Sequence, residues 1–512
     1  MKAFKFVGTL FSVMLLITAL IALYYAYSLK MLPTAYAVVL GVVFLVIPIV
    51  CFFLARAKGK KKRIVSIIIS FICIVINLFA IYYLSVTNKA LDNVTGKKVE
   101  VSAINVYVSK DDEVTSINEA IDNGYVFATI DTDDEAHIKE TISEIESDVG
   151  AEVSTKSYES IFEAVGSFEN ELVDGFIVSE STIGVLDTVE DYEDFIAGLK
   201  ILMENKIEEE LTEEADAEPV DQDSFCVYFS GIDTFGKTST KSRSDVNIIG
   251  VVNNTTKTVL LVSTPRDYYM ELSISKGKKD KLTHAGLYGI DCSVDTLENF
   301  YDVSIPYYVR LNFSGFQNII DTLGGIDVYS DYAFTGITEE GTYTFNQGIN
   351  HLNGEEALGF ARERYAFLDG DRQRGNNQMQ VIKATIEKME SSEMLKNYSQ
   401  LMDDMSDSFE TSMDKDTIGY MVQSTISDPN WKVLTYSVSG SDSTQSCYSL
   451  GMEAYVMVPN QTDVDFAKDL MTSVLNGQSL TQEYIDLGAR DTSNDATMTN
   501  DEVSGDTDDD EE

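Results

Sequence analysis

Three long uncharged stretches open the chain, and they are the strongest pattern in its hydrophobic and polar positions. They cover Phe6–Leu29, Met31–Ala55 and Ile64–Asn88, each 24 or 25 residues long. A helix of about 20 apolar residues spans the hydrocarbon core of a bilayer. Buried helices of a soluble domain rarely lack charge over this length, and a cleavable signal peptide has a shorter apolar region. The pattern therefore predicts a three-helix membrane anchor over residues 1–88.

Basic residues near the ends of these stretches predict how the anchor is oriented. Lys2 and Lys5 precede the first stretch, and the loop Arg56–Arg63 before the third is strongly basic. Lysine and arginine accumulate on the cytoplasmic side of membrane helices. We therefore expect a multi-pass cell-membrane protein with a cytoplasmic N-terminus and with residues 89–512 outside the cell.

After the anchor, short apolar runs alternate with segments of helical periodicity. This alternation is typical of α/β structure, and it predicts a small accessory α/β domain over residues 99–211. The predicted strands are Val101–Val108, Tyr125–Ile130 and Leu172–Val178, and the predicted helices are Glu135–Val149, Tyr158–Phe168 and Val189–Leu211.

A second and larger α/β domain is predicted over residues 225–475. Its strands are predicted at Phe225–Ser230, Val246–Val252, Val259–Ser263, Tyr307–Leu311 and Trp431–Val438. Its helices are predicted at Phe313–Leu323, Gly354–Ala361 and Gln378–Glu390. Residues 212–224 indicate an acidic linker. Residues 488–512 lack apolar periodicity and indicate a disordered acidic tail.

Charge divides the chain in the same way as hydropathy. The 512 residues carry 38 Lys and Arg against 83 Asp and Glu, a formal net charge of −45. Residues 1–98 hold 12 basic residues and one acid, net +11, which leaves 26 basic and 82 acidic residues for the remainder, net −56. Such an acidic body repels a phosphate backbone, so a nucleic-acid-binding function is excluded.

The distribution of arginine points to a local anion site within this acidic body. Residues 64–242 contain no arginine, whereas 243–374 contain seven of the ten in the chain. A guanidinium is planar, always charged and able to form two parallel hydrogen bonds to a phosphate. The seven are Arg243, Arg266, Arg310, Arg362, Arg364, Arg372 and Arg374. For any single member, a surface ion pair is an equally good interpretation, and Arg372 fits that interpretation best.

Several of these arginines stand at constrained positions. Arg266 follows the predicted strand Val259–Ser263, and ligands of open α/β sheets bind at such strand ends. Arg362 and Arg364 are two residues apart. Arg374 and Gln378 are four apart, so that one helix face presents both.

Two carboxylates complete the candidate site. Asp233 follows the strand that ends at Ser230, and Asp245 follows the next turn. Mg2+ usually takes one or two carboxylates together with phosphate and water oxygens. The pair therefore predicts a Mg2+ or Mn2+ site, although Asp233 is equally compatible with a turn residue.

A phosphate-loop pattern in this region is best rejected. Gly231–Thr238 fits G-x-x-x-x-G-K-[ST], but such a loop must open a helix. Here only seven residues separate it from the next predicted strand, and Asp233 places a negative charge within the cradle. We therefore do not predict an ATPase.

Taken together, these motifs resemble the LytR–CpsA–Psr family of cell-wall glycopolymer ligases. The resemblance covers about residues 225–389. It rests on Gly231–Asp233, Arg243–Asp245, Ser263–Asp267, Lys281–Ala285, Tyr308–Phe313 and Ala361–Arg364, followed by Asp371, Arg374 and Gln378. Each motif alone is weak, but the six in order at compatible spacing are specific. The anchor and the accessory domain resemble the streptococcal capsule-attachment branch.

The resemblance implies a fold and an activity. The larger domain is expected to hold a central mixed sheet flanked by helices. The implied enzyme is a phosphotransferase that moves a glycopolymer, either capsular polysaccharide or a teichoic-acid-like polymer, from a polyprenyl-pyrophosphate lipid to peptidoglycan. The implied pyrophosphate-binding residues are Arg243, Arg266, Lys281, Arg310, Arg362, Arg364, Arg374 and Gln378. The implied catalytic residues are Asp233, Asp245 and Arg243, of which the two aspartates hold the metal; either aspartate suits the role of base.

Two other functions fit the same residues. A pyrophosphatase acting on the same lipid-linked glycan uses water as acceptor and needs the same anion site. A non-catalytic membrane regulator that senses the lipid-linked glycan needs the site without the chemistry. Product analysis separates the first from a ligase, because hydrolysis releases glycan monophosphate that is not attached to an acceptor.

Overall fold

The computed structural model describes residues 2–95, 99–186, 192–210, 223–232, 241–338, 341–367, 370–389 and 397–488. The predicted linker falls mostly outside these residues, and so does the predicted tail except for residue 488. The statements below concern the described residues.

Three helices form the N-terminal unit, each long and apolar enough to cross a membrane. They are α1 (Lys2–Ser28), α2 (Thr34–Arg56) and α3 (Lys60–Val94). The helices pack closely where side chains are small, as at Gly8 against Ala55. The hydroxyl of Ser66 donates to the Cys51 carbonyl (2.7 Å), so a buried polar group is paired inside the bundle. The predicted anchor helices are confirmed as elements.

The accessory unit is a five-stranded mixed sheet with helices on its faces. The strand order is β3-β2-β4-β1-β5. Its strands are β1 (Val99–Ser109), β2 (Val126–Ile130), β3 (Ser154–Tyr158), β4 (Gly175–Ser179) and β5 (Leu199–Glu210). Its helices are α4 (Ile117–Asp122), α5 (Glu135–Val149), α6 (Ile161–Glu169), α7 (Glu180–Leu186) and α8 (Glu193–Ala197).

One predicted element of this unit is wrong. The helix expected over Val189–Leu211 is replaced by the short helix α8 and by strand β5, which pairs antiparallel with β1 along the whole of β1. The apolar residues of β5 complete the core beneath β1. This long-range pairing overrides the local helical pattern.

The larger unit is built on a six-stranded mixed sheet of order β16-β11-β6-β7-β8-β17. Its strands are β6 (Ser224–Ile232), β7 (Ser244–Asn253), β8 (Thr258–Ser263), β11 (Tyr307–Asn312), β16 (Phe409–Thr411) and β17 (Lys432–Ser437). β11 runs parallel to β6 and β17 runs parallel to β8, whereas β6–β7, β7–β8 and β11–β16 are antiparallel. The expected mixed sheet is therefore confirmed.

Helices cover both faces of this sheet. They are α9 (Ile290–Tyr301), α10 (Phe313–Thr322), α11 (Gly354–Arg362), α12 (Gly370–Met389), α13 (Tyr398–Ser408), α14 (Lys415–Ser427) and α15 (Gln461–Leu475), with a 3-10 helix at Leu282–Tyr288. Along β7, Ile249 faces a core shared with α9 and α15, while Ile248 faces Met379 of α12. Burial on both faces explains the continuous apolar run in β7.

Four two-stranded ribbons complete the larger unit. They comprise β9 (Tyr269–Glu271) with β10 (Lys279–Lys281), β12 (Ile326–Ser330) with β15 (Gly348–Leu352), β13 (Phe334–Ile337) with β14 (Thr342–Phe345), and β18 (Gly440–Cys447) with β19 (Met452–Pro459). The β18–β19 ribbon places Cys447, Leu450 and Val456 in the same hydrophobic cluster as Phe176 of the accessory sheet. The two α/β units therefore share a core.

The larger unit also contacts one end of the helical anchor. Lys30, between α1 and α2, pairs with Asp416 of α14 (2.5 Å), and Asp92 near the end of α3 pairs with Lys415. Helix α13 packs along α3. The basic loop Arg56–Arg63 joins the opposite ends of α2 and α3, so it lies away from the folded units.

Candidate active site

Five strand ends meet at one edge of the six-stranded sheet, and the predicted site residues are distributed around it. Strands β6, β8, β11 and β17 end there, and the antiparallel strand β7 begins there: Ile232 is paired with Ser244, and Ser263 with Ser437. Asp245 is the second residue of β7, and Arg266 follows β8 after Pro265. The placement of Arg266 beyond a strand end is as predicted.

A buried aspartate lies at the centre of a group of cations at this edge. Asp267 is 2% exposed. Its carboxylate lies 3.2 Å from the Lys281 ammonium, 3.8 Å from Nε of Arg266 and 3.7 Å from Nη1 of Arg364. We call Arg266, Asp267, Lys281 and Arg364, together with Asp245, the cationic cluster.

The cations determine the charge state of this aspartate. Burial alone raises the pKa of Asp267, but the charges of Lys281, Arg266 and Arg374 outweigh burial and hold it below the ordinary value. Asp267 therefore stays ionised at neutral pH, and it orients several cations at once.

Arg266 is held from a second side by Asp245. Its Nη1 donates to Oδ1 of Asp245 at 2.7 Å, and Thr283 donates weakly to the same oxygen at 3.5 Å. The second carboxylate oxygen, Oδ2, makes no hydrogen bond among the described residues. One oxygen of Asp245 thus fixes the arginine.

Backbone contacts bring Lys281 to the cluster. The amide of Thr283 donates to the Arg266 carbonyl (2.8 Å), and that of Leu282 donates to the Tyr268 carbonyl (3.0 Å). Further support comes from the side-chain bond between Asp280 and His284 (2.7 Å), both fully buried. The 3-10 helix is therefore tied to the turn that carries Arg266.

Arg362 ends helix α11, and Arg364, two residues later, reaches the cationic cluster through Asp267. The guanidinium of Arg362 lies 4.7 Å from the centre of the Phe313 ring, at the first residue of α10, and is exposed. Arg364 donates from Nη2 to the hydroxyl of Tyr365 at 2.7 Å. Stacking and hydrogen bonding limit the motion of both side chains, and the Arg362 side chain is exposed to solvent.

Helix α12 brings Arg374 and Gln378 to the sheet edge. A Cβ at Gly375 would lie 2.5 Å from Oγ of Ser263 and 3.0 Å from Oγ of Ser437, so glycine permits the helix to approach the ends of β8 and β17. Arg374 and Gln378 are each 7% exposed. Arg374 lies close enough to Asp267 to lower its pKa.

Arg243 lies just before β7, in a short segment that two other elements hold. A Cβ at Gly286 in the 3-10 helix would lie 2.3 Å from the Ser242 carbonyl oxygen. The amide of Lys241 donates to the Val101 carbonyl of the accessory sheet (3.3 Å). Asp233 lies outside the described residues.

Arg310 is placed differently from the other predicted residues. Its guanidinium is 1% exposed and bonded to Glu100 of the accessory strand β1. On β11 it is paired across the sheet with Glu410 of β16, another buried carboxylate. In this structure the guanidinium is buried and bonded to a carboxylate, and its contact with a lipid head group stays a prediction.

Glu100 and Asp267 are the residues that sequence reasoning undervalued. Glu100 also accepts from the Ile290 amide at the start of α9 (2.8 Å), so it joins the accessory sheet to two elements of the larger unit. Its pairing with Arg310 spans 210 positions in the chain, and no local pattern indicates it.

Comparison with known proteins identifies the family. The family model described as the LytR_cpsA_psr family matches residues 199–467, which is just over half of the chain. The chain belongs to this family. The matched range contains every predicted site residue, and it begins at β5 of the accessory sheet rather than at residue 225.

Similar proteins carry teichoic-acid transferase names. The chain is 36% identical over 219 residues to the polyisoprenyl-teichoic acid–peptidoglycan teichoic acid transferase TagU of Bacillus licheniformis, covering 43% of this chain and 69% of that protein. It is 32% identical over 247 residues to TagV of Bacillus subtilis, covering 47% and 62%. The crystal structure of B. subtilis TagV aligns with 51% of this chain and 100% of its own, at 28% identity and a TM-score of 0.41.

Proposed function

We propose that this LytR_cpsA_psr family member is a membrane-anchored phosphotransferase that moves a glycopolymer from a polyprenyl-pyrophosphate lipid to peptidoglycan. The observation that carries the proposal is the cationic cluster, in which two arginines and a lysine surround one buried carboxylate at the edge of the sheet. The names of TagU and TagV support the class of reaction. Whether the polymer is capsular or teichoic-acid-like is for experiment to decide.

In this proposal the arginines bind the pyrophosphate. Arg266 and Arg364, oriented by Asp267, donate to phosphate oxygens, and Arg243, Arg362, Arg374, Gln378 and Lys281 complete the binding site. Phosphoryl transfer depends mainly on positioning and on neutralising developing charge. A set of guanidinium groups that is already oriented supplies both without reorganisation.

The reaction exchanges a phosphoanhydride bond of the substrate for a phosphate ester bond of the product. A peptidoglycan hydroxyl attacks the phosphorus that carries the glycan, and a phosphodiester forms. The bond from that phosphorus to the bridging oxygen breaks, and polyprenyl monophosphate leaves with the electron pair. Asp245 or Asp233 accepts the proton of the attacking hydroxyl.

A divalent cation fits the residues beside this cluster. The open oxygen of Asp245, together with Asp233 and the substrate phosphates, suits Mg2+, which usually takes one or two protein carboxylates. When bound, Mg2+ or Mn2+ would supply additional neutralisation of phosphate charge. Arg266 keeps the other oxygen of Asp245 in place, so the chain itself fixes the orientation of this carboxylate.

The position of the anchor supports a lipid-linked substrate. Helix α10 begins at Phe313, beneath Arg362, and packs against α13, which packs along α3 of the anchor. Ile319, Leu323 and Leu401 form an apolar cluster between α10 and α13. The buried apolar contact between α10 and α13 thus links the anchor helix α3 to the end of α10 that carries Phe313 and Arg362.

The experiment is a transfer assay with the full chain in detergent, lipid-pyrophosphate-linked glycan, Mg2+ and peptidoglycan. We expect peptidoglycan-attached glycan and released polyprenyl monophosphate in equal amounts. Glycan monophosphate formed at the same rate without an acceptor would instead establish a pyrophosphatase. Lipid binding without any product would establish a regulator.

Orientation has its own test. We propose that the N-terminus and the loop Arg56–Arg63 are cytoplasmic and that the folded units are outside. Protease added to intact cells from which the wall has been removed should then digest residues 89–512 and spare the loop. Protection of the folded units from protease would exclude both enzymatic functions.

A further inference from the structure

A cavity of about 380 Å³ lies between the accessory unit and the larger unit. One wall comes from the accessory sheet and the start of α5, and includes Thr132, Asp134 and Thr182. The other wall comes from the larger unit and includes Lys241, Tyr288 and Ser449. Small-molecule sites occupy about 300–1,000 Å³ and favour domain interfaces.

The lining is rich in hydroxyl groups and also contains apolar surface. Serine, threonine and tyrosine hydroxyls from both units line the cavity, beside the side chains of Ala136, Ile274 and Leu287. The hydroxyls of Thr132 and Tyr288, one on each wall, make no hydrogen bond among the described residues. Burial raises the pKa of Tyr288 well above its ordinary value, so that this hydroxyl remains a neutral donor.

The other polar groups are held rigidly. Asp134 accepts from His137 Nδ1 (2.7 Å), from Ser102 (3.1 Å) and from Lys241 (3.3 Å). Ser179 donates to Asp133 from its hydroxyl (2.6 Å) and from its amide (2.9 Å). The walls are therefore organised before any ligand binds, which reduces the entropy cost of binding.

The charge of the lining disfavours phosphate and other anions. One lysine, Lys241, lines the cavity together with four acidic residues, which are Asp133, Asp134, Glu135 and Glu209. Burial raises the pKa of Asp133, and Asp134 is paired with Lys241. The remaining negative charge favours an uncharged or cationic ligand. Hydroxyl groups of a ligand can donate to the carboxylates of the lining. A ligand in which hydroxyls alternate with apolar C–H faces therefore matches the mixed polar and apolar walls.

Two connections join the cavity to the cationic cluster. Lys241 lies two residues before Arg243. The Lys241 carbonyl accepts a hydrogen bond from the Ser181 hydroxyl of the accessory unit (3.0 Å). On the same wall, the Ser449 amide donates to Asp280 (2.6 Å), the neighbour of Lys281. A chain molecule reacting at the cluster would have its adjoining units near this cavity.

We propose that the cavity between the two units binds an uncharged saccharide, as a subsite for the glycan next to the reacting group. This inference rests on the proposed transfer function and names a role for the accessory unit. The saccharide belongs either to the peptidoglycan acceptor or to the transferred polymer, since both present the same hydroxyl chemistry.

The test fills the cavity and measures binding directly. Ala136 lies at the exposed rim on the first turn of α5, so Ala136→Trp obstructs the cavity without removing a hydrogen bond. Ser147→Trp, exposed near the end of the same helix, is the matched control. Calorimetry with the full chain in detergent would use an N-acetylglucosamine tetrasaccharide for peptidoglycan, the repeat oligosaccharide of the host's wall polymer, and inorganic pyrophosphate.

We expect one of the two saccharides to bind the wild type and Ser147→Trp equally and to bind Ala136→Trp at least tenfold more weakly. Which saccharide does so identifies its source. Tyr288→Phe, which removes only a hydroxyl, should weaken the same saccharide severalfold, and it keeps the test valid if Ala136→Trp lowers the unfolding midpoint. Pyrophosphate should bind all four proteins equally.

Equal saccharide binding by all four proteins, or no binding at millimolar concentrations, overturns the subsite. The proposed transfer reaction fails separately. If the wild type shows no transfer but Ala136→Trp still abolishes saccharide binding, the subsite stands and the reaction is wrong.

Discussion

The arginines at two places in the larger unit differ in what surrounds them. Arg364 and Arg266 are partly open to solvent and share Asp267, so that positive charge exceeds negative charge around that carboxylate. Arg310 is buried between Glu100 and Glu410, where negative charge exceeds positive. The same side chain therefore lies in a surplus of positive charge in one place and joins structural elements in the other, and only the first environment suits the proposed anion site.

The largest effect is expected from removing the buried guanidinium. Arg310→Met leaves Glu100 and Glu410 buried without their cation. We expect the free energy of unfolding to fall by about 3–5 kcal/mol, measured by denaturant titration of the full chain in detergent. The triple variant Arg310→Met with Glu100→Gln and Glu410→Gln should recover most of this loss. A single variant of wild-type stability that loses transfer would instead place Arg310 at the substrate.

The exposed arginines should show the opposite behaviour. Arg362→Ala combined with Arg364→Ala removes donors from the proposed pyrophosphate site but leaves the core intact. We expect transfer to fall by about 10²–10³-fold with an unchanged unfolding midpoint. Arg372→Ala on α12 is the matched control and should transfer normally. Undiminished transfer by the double variant would rule out the proposed site.

Asp267 tests whether the cationic cluster is positioned by its carboxylate. Asp267→Asn keeps the shape but removes the charge, and we expect a loss of about 1–3 kcal/mol in stability together with weaker pyrophosphate binding. The folded pKa of Asp267 is lowered, so its contribution is complete above the ordinary pKa and is lost as pH falls through the lowered value. The ordinary pKa of an aspartate is about 4. Because pH 5 to 8 lies above this value, the stability difference from wild type should stay constant over that range. A difference that changes near neutral pH would contradict this assignment.

The smallest effect is expected at the contact with the anchor. Lys30 and Asp416 pair at 2.5 Å, but both side chains are more than half exposed. Exposed pairs contribute about 0–1 kcal/mol, so Lys30→Ala should leave the unfolding midpoint and transfer nearly unchanged. A large loss of transfer would show that this pair fixes the site relative to the bilayer.

Much of the fold follows from local pattern. Helix α5 has the predicted bounds Glu135–Val149, and β8 differs from its prediction by one residue. Both have clear periodicity and end signals: Asp134 caps α5, and Gly150 ends it in a left-handed conformation. Strand β5 was predicted as a helix, because its partner β1 lies about a hundred residues earlier and only their pairing selects the strand.

The candidate site was partly predictable for a similar reason. Arg266 and Asp245 were recognisable because strand ends gather at one edge of a sheet, and the structure joins them at 2.7 Å. The buried environment of Arg310 was not recognisable, because the sequence around Arg310 resembles the family motifs as closely as the sequences around the other arginines do. The roles of the site residues in binding, and the assignment of a metal to Asp233 and Asp245, stay predictions.

The sequence by itself determined a three-helix apolar anchor, two α/β regions and an arginine-rich segment, because hydropathy period and residue type act locally. Only the tertiary structure decided which arginines share a carboxylate, which are buried, and that the two α/β units enclose a cavity. Burial and electrostatic pairing depend on residues that are distant in the chain, such as Glu100 and Arg310, and these meet only when the chain is folded.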